Sequence, residues 1–239
     1  MMRFTLGQVC AGAGLGLGLL VAASLLPAVR AAHAQDLDLT LEYRTVTAGH
    51  DGVTRSSEYV ERFTRRASRV WAEKVMPAGV PRDDHDSAAK GRGAHHKHFD
   101  MARAARSVER LPDGRVIFTM VNVADRLIVD VAPPEHSTVG FDGSWEQTYY
   151  LVSPATLRQM RQVGPGEVPG TLRYELSSNS GTTRVLWDER LKFPLEVASI
   201  TKDGRTRQSM VARIARPAAT LPWSGSERFD RRSLADFAD

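Results

Sequence analysis

The chain has 239 residues, with 32 Lys and Arg against 28 Asp and Glu, a formal net charge of +4, seven histidines and a single cysteine. Acidic residues are interspersed among the arginines, and no basic block is interleaved with aromatics, which argues against a nucleic-acid partner. The one cysteine, Cys10, lies at the start of an apolar run, so a chain lacking that run has no disulfide, thiolate ligand or cysteine nucleophile.

Arg3 precedes an apolar stretch from Val9 to Leu26, followed by Pro27 and the triplet Ala32-His33-Ala34. This is the pattern of a secretory signal peptide spanning residues 1–34 and cleaved after Ala34. A run of about 18 apolar residues also approaches the length of a membrane span, but the A-x-A triplet and the polar Gln35-Asp36 after it favour cleavage. About 205 residues would remain, enough for one domain with a sizeable core. An exported domain without disulfides fits a bacterial periplasm or cell envelope best.

Leu37, Leu39, Leu41 and Tyr43 alternate with polar residues, which predicts a strand with one buried face. A turn at 49–52 and two strands, 57–64 and 68–76, follow, with Arg65-Arg66 near the hairpin end. Residues 77–98 hold prolines, glycines and acids and read as a long polar loop. It ends in a histidine cluster: His95, His96 and His98, with His85 upstream. Residues 99–108 read as a short helix. Strands are expected at 116–123, 126–131 and 145–152. Ser153-Pro154 opens a helix over 154–163, with Leu157, Met160 and Val163 spaced by threes. Four more strands follow, 172–176, 183–187, 195–201 and 208–214, the last pair joined at an Asp-Gly turn. Residues 217–239 read as a mobile tail. The mature chain is thus a single β-rich domain over 35–216.

The expected fold class is mainly β with one or two short helices (α+β). Val185-Leu186-Trp187-Asp188 running into Leu191-Lys192-Phe193-Pro194-Leu195, and then a hairpin closed at Asp203-Gly204, resembles the C-terminal part of the outer-membrane lipoprotein carrier superfamily. The resemblance implies a curved antiparallel sheet forming an incomplete or half barrel, with a helix over its concave face. It also implies a periplasmic binding or carrier role for an apolar or lipid-like ligand or a lipoprotein partner. Helix 154–163 would lie over the concave face with Leu157, Met160 and Val163 inward and Trp187 beneath, either as a permanent plug or as the wall of an acyl-chain site.

Two further readings stand beside the carrier. The histidines could form a site for a divalent metal such as copper or zinc, in a metal-handling accessory protein. The spacing matches no closed structural zinc pattern, and a solvated loop accounts for the cluster equally well. Alternatively, the core is filled and the protein is structural. Arg103, Arg106 and Arg110, with Arg65 and Arg66, could meet an anionic head group or form a solvated face, and a peripheral membrane contact fits a weakly basic chain. Glu58 and Glu61 read as the polar face of a strand. No G-x-S-x-G, H-E-x-x-H or P-loop is present, so the reading is non-enzymatic and, by default, monomeric.

Overall fold

Alternation at the start of the domain produces its central strand. β1 (Leu37–Ala48) buries Leu37, Leu39 and Leu41 on one face, and it pairs on one side with β2 (Thr54–Arg66) and on the other with β11 (Thr206–Ile214). The computed structural model describes residues 34–77 and 99–237. From β2 the chain meanders through β3 (Arg69–Lys74), β4 (Ala105–Arg110), β5 (Val116–Asn122) and β6 (Leu127–Val131). It then crosses to the far end and meanders back through β7 (Arg161–Pro165), β8 (Thr171–Ser177), β9 (Gly181–Asp188) and β10 (Phe193–Thr201) to β11. A last strand, β12 (Asp230–Ser233), adds in parallel to β6. The order is β12-β6-β5-β4-β3-β2-β1-β11-β10-β9-β8-β7, a mostly antiparallel twelve-stranded sheet that does not close, as a curved half barrel.

The topology dictates what covers the inner face. β6 and β7 lie ten strand spacings apart, on the order of 48 Å around the sheet. Residues 132–160 must bridge that gap. They do so as a 3-10 turn (Pro133–Val139), helix α1 (Trp145–Tyr150) and helix α2 (Pro154–Gln159). Phe141, Trp145 and Tyr149 of this crossover pack with Leu39, Phe63, Val108 and Phe118 of the sheet in one apolar core. The β8–β10 end carries a second cluster of Val152, Met160, Val185 and Trp187.

Three local expectations are corrected. The segment 145–152, expected as a strand, contains α1. Ser144 Oγ accepts a hydrogen bond from Gln147 N at 3.1 Å, and the i, i+4 pair Trp145 and Tyr149 turns toward the core. The helix expected over 154–163 ends at Gln159. Met160 is extended, with φ −82° and ψ 144°, and Arg161 onward joins the sheet as β7, where Arg161 pairs with Glu175 at 2.9 Å. Sheet pairing at the open edge outweighs the third turn of a short helix. The helix expected over 99–108 is a turn at Asp100, whose carboxylate accepts from Ala102 N at 3.0 Å, followed by β4. There the small Ala105 packs on the outer face with Trp71.

The stretch after Pro217, expected as a mobile tail, folds back on the sheet. Trp223 and Phe229 pack on the outer-face cluster of Trp71, Ala105, Val121 and Ile128. Arg231 grips Asp130 of β6 with two hydrogen bonds, at 2.6 and 2.7 Å. Leu234 is buried in the inner core.

Candidate functional site

The register aligns one continuous inner face. On β2 it carries Tyr59, Glu61, Phe63 and Arg65. Their neighbours are Leu41 and Tyr43 on β1, Val70, Ala72 and Lys74 on β3, and Arg106 and Val108 on β4. Two charged groups are buried on this face, and they divide it into a packed half and a hollow half.

Arg65 anchors the packed half. Its side chain is fully buried, with 0% exposure. It donates to four backbone carbonyls: Gln35 (2.9 Å), Leu191 (2.6 Å), Lys192 (3.2 Å) and Tyr149 (3.1 Å). The guanidinium also lies 4.7 Å from the Tyr149 ring centroid and 5.4 Å from that of Phe193. One side chain thus ties the start of the domain, the end of α1 and the β9–β10 turn together. Burial pulls its pKa down from the usual arginine value, yet the group stays charged, as arginine does in proteins.

The hollow half lies between β1–β5 and the crossover. A cavity of about 250 Å³ is walled by Phe63, Val108, Phe118, Phe141 and Leu151. A second space of about 450 Å³ opens beside it past Tyr59, Lys74, Met101 and Met120. Both spaces are bordered by Glu61, Ala72, Arg106 and Val139. The ion pair therefore stands as a partition between two adjacent spaces, together called the hollow. Glu61 is 3% exposed, and its two oxygens accept from Arg106 Nη2 at 2.8 and 3.0 Å. Arg106 sits opposite Ala72 in the register, and the small side chain there lets it reach across β3 to Glu61.

The phenols share this environment. Tyr43 and Tyr59 stack with centroids 4.7 Å apart. Burial, with the negative charge of Glu61 adding to it, pushes the Tyr43 hydroxyl well above the usual tyrosine range. Tyr59 is raised by the same two causes in the same order. Lys74 Nζ lies 5.0 Å from the Tyr59 ring centroid. Leu151, on the rim, has φ 59°, a backbone region that favours glycine.

The residues proposed from sequence fall elsewhere. Met160 and Trp187 are buried together, with Leu157 packed against them, at the β8–β10 end. Val163 does not join them: it is 51% exposed on the edge strand β7, beside a separate groove with Arg184, Leu186 and Ala198. None of the four lines the hollow. The 3-10 turn and α1 wall the hollow, while α2 lies on the same concave face further along, with Leu157 and Met160 packed on Val185, Trp187 and Val197 as expected; only Val163 departs from that placement. His85, His95, His96 and His98 lie outside the described residues. Among the described residues, no group of three or more His, Cys, Asp or Glu side chains is arranged to hold a metal.

Sequence reasoning missed Glu61 as a site residue by placing it on a polar strand face. Its phase with Tyr59 and Phe63 was the available signal, because period-two residues share a face. Arg106 was singled out, but on a helix, not on a strand facing inward.

The fold and hollow define a class of open half-barrel proteins with a crossover-covered inner face. No family model matches the sequence, and no curated protein matches it. Solved structures similar to it include a LolA superfamily protein from Nitrosomonas europaea (7% identity, 77% of this chain and 88% of that chain, TM-score 0.32). A conserved protein from Thermus thermophilus is also similar (7%, 81% and 90%, TM-score 0.37). So is the MucA/MucB complex of Pseudomonas aeruginosa (13%, 78% and 55%, TM-score 0.34), of which this chain spans little more than half. The scores are low, and the architecture stands on the strand order and register above.

Proposed function

We propose that this protein is a non-enzymatic binding or carrier protein of the bacterial envelope, and that it receives an apolar ligand or the apolar end of a partner in the hollow beneath residues 133–151. The observation that carries this reading is the space itself. A half-open cleft of about 250 Å³ lies against Phe63, Val108, Phe118, Phe141 and Leu151, beside a second of about 450 Å³ that shares part of its border. Small-molecule sites run from roughly 300 to 1,000 Å³, so the hollow suits a small or single-chain ligand. Burial of about eight methylenes would supply roughly 6 kcal/mol before the cost of association.

The envelope location is supported by the apolar segment Val9–Leu26, the Ala32-His33-Ala34 triplet and the lack of cysteine beyond Cys10. A binding role, as opposed to catalysis, is supported by the state of the polar groups. Both Glu61 oxygens are held by Arg106, and the Tyr43 phenol is pushed away from ionisation.

Native mass spectrometry of the purified protein, with titration of an environment-sensitive fatty-acid probe, tests the reading. Co-purifying apolar ligand, or saturable probe uptake at a stoichiometry near one, is the expected result. Protein free of ligand that takes up no probe would contradict it.

A further inference from the structure

We infer that the hollow selects a single-chain amphiphile of about eight carbons with an anionic head, held at Lys74 and Arg106. This rests on the binding role proposed above and adds the chemistry of the ligand.

The charges at the partition carry the inference. Glu61 and Lys74 are register partners on β2 and β3 and would be the natural cross-strand pair. The structure does not pair them: Arg106, one strand further, takes both Glu61 oxygens. Lys74 is left with no acidic partner among the described residues, its ammonium against the Tyr59 ring. Arg106 spends one nitrogen on Glu61. Its Nε and Nη1 donors have no partner among the described residues, and its side chain is 46% exposed. Lys74, Arg106 and Glu61 are the charged residues that line the outer space of about 450 Å³, and together they carry one net positive charge there. Asp142, which accepts from Ser144 N at 2.8 Å, lines the inner space and not the outer one where Lys74 stands.

A carboxylate or phosphate head placed there would neutralise that charge and take up free guanidinium donors, which favour such planar or oxyanion acceptors. A cationic head would double it. The apolar chain would pass the partition over Ala72 and Val139, which border both spaces, and end against Phe63, Phe118 and Leu151. If each methylene takes about the 30 Å³ that a water molecule takes in the liquid, the inner cavity of about 250 Å³ accepts a short chain on the order of eight carbons.

Calorimetric titration of the purified protein with four eight-carbon probes tests this: octanoate, octyl phosphate, octanol and octyltrimethylammonium. The expected order is an anionic probe at least tenfold tighter than octanol, with the cationic probe weakest. The better of octanoate and octyl phosphate distinguishes a fatty-acid source from a phosphate head. Lys74 is exposed at the end of β3, so Lys74→Gln will fold; it should lower anionic affinity about fivefold and leave octanol unchanged. Added salt should weaken only the anionic probes. Equal binding of all four probes, or no response to Lys74→Gln, would overturn the head-group assignment while the apolar site stands. Binding of none of them would remove the binding role and this inference together.

Discussion

Arg65→Met removes a fully buried cation and its hydrogen bonds while keeping most of the side-chain volume. Two of its four acceptors, the carbonyls of Gln35 and Lys192, belong to exposed residues and can turn to water. The other two, Tyr149 and Leu191, are bonded within buried surroundings. A buried carbonyl left without a donor costs about 1–3 kcal/mol. Against this, the variant no longer desolvates a charge, and replacing a buried ion by an apolar side chain returns part of the loss. The balance is a destabilisation of about 3 kcal/mol. With a urea slope near 2 kcal/mol per molar, the unfolding midpoint should fall by about 1.5 M at unchanged slope. Tryptophan fluorescence reports it well, since Trp145 packs against Tyr149. Arg65→Lys should recover only a part, because three donors on a point charge cannot span a four-carbonyl nest. A midpoint within about 0.3 M of wild type for Arg65→Met would refute the reasoning, showing that the packed half is held by apolar contacts alone.

Ser144→Ala removes the cap of α1 and should cost about 1 kcal/mol, read as a lower urea midpoint and faster amide exchange over 145–150. Tyr43, Tyr59 and Tyr149 are all raised by burial above the unfolded tyrosine value. The folded state then holds protons that the unfolded state releases, so stability should be level below about pH 10 and fall as pH rises above it. Thermal melts between pH 8 and 11.5 should show this (roughly the span from below to above the free phenol value), and Tyr43→Phe should make the alkaline decline shallower; an unchanged decline would put the effect elsewhere. Trp223→Ala uncovers Trp71, Val121 and Ile128 on the outer face, and should lower stability by about 2 kcal/mol and increase binding of a hydrophobic dye.

Strands with a clean period were legible in the sequence. β1, β8 and β9 alternate, and the turns at 49–52 and 178–181 mark the end of β1 and the β8–β9 hairpin. The resemblance of 185–204 also pointed to the open sheet. What failed was local preference overridden by pairing. β4 is built on Ala105, Arg106 and Ser107, none a strong strand former, and exists because β3 and β5 need a strand between them. β7 and β12 are edge strands of four or five residues fixed by neighbours distant in sequence. α1 was hidden by its aromatics, Trp145, Tyr149 and Tyr150, which suit a strand as well. Its signal was the serine cap followed three residues on by Gln147, the pattern of a capping box. The site followed the same rule. An arginine known only as part of a charged run becomes a site residue once the register places it opposite Ala72 and within reach of Glu61. That contact joins residues 45 positions apart and has no local trace.

The central claim, that the hollow under the crossover is where the ligand sits, is tested most directly by filling it. Val108→Phe enlarges a β4 side chain that lines the inner cavity of about 250 Å³. Binding of octanoate, or of the fatty-acid probe, should then drop at least tenfold in a variant that still melts cooperatively, because the added ring takes space the ligand needs. A variant that folds with unchanged stability and binds as wild type does would contradict the account.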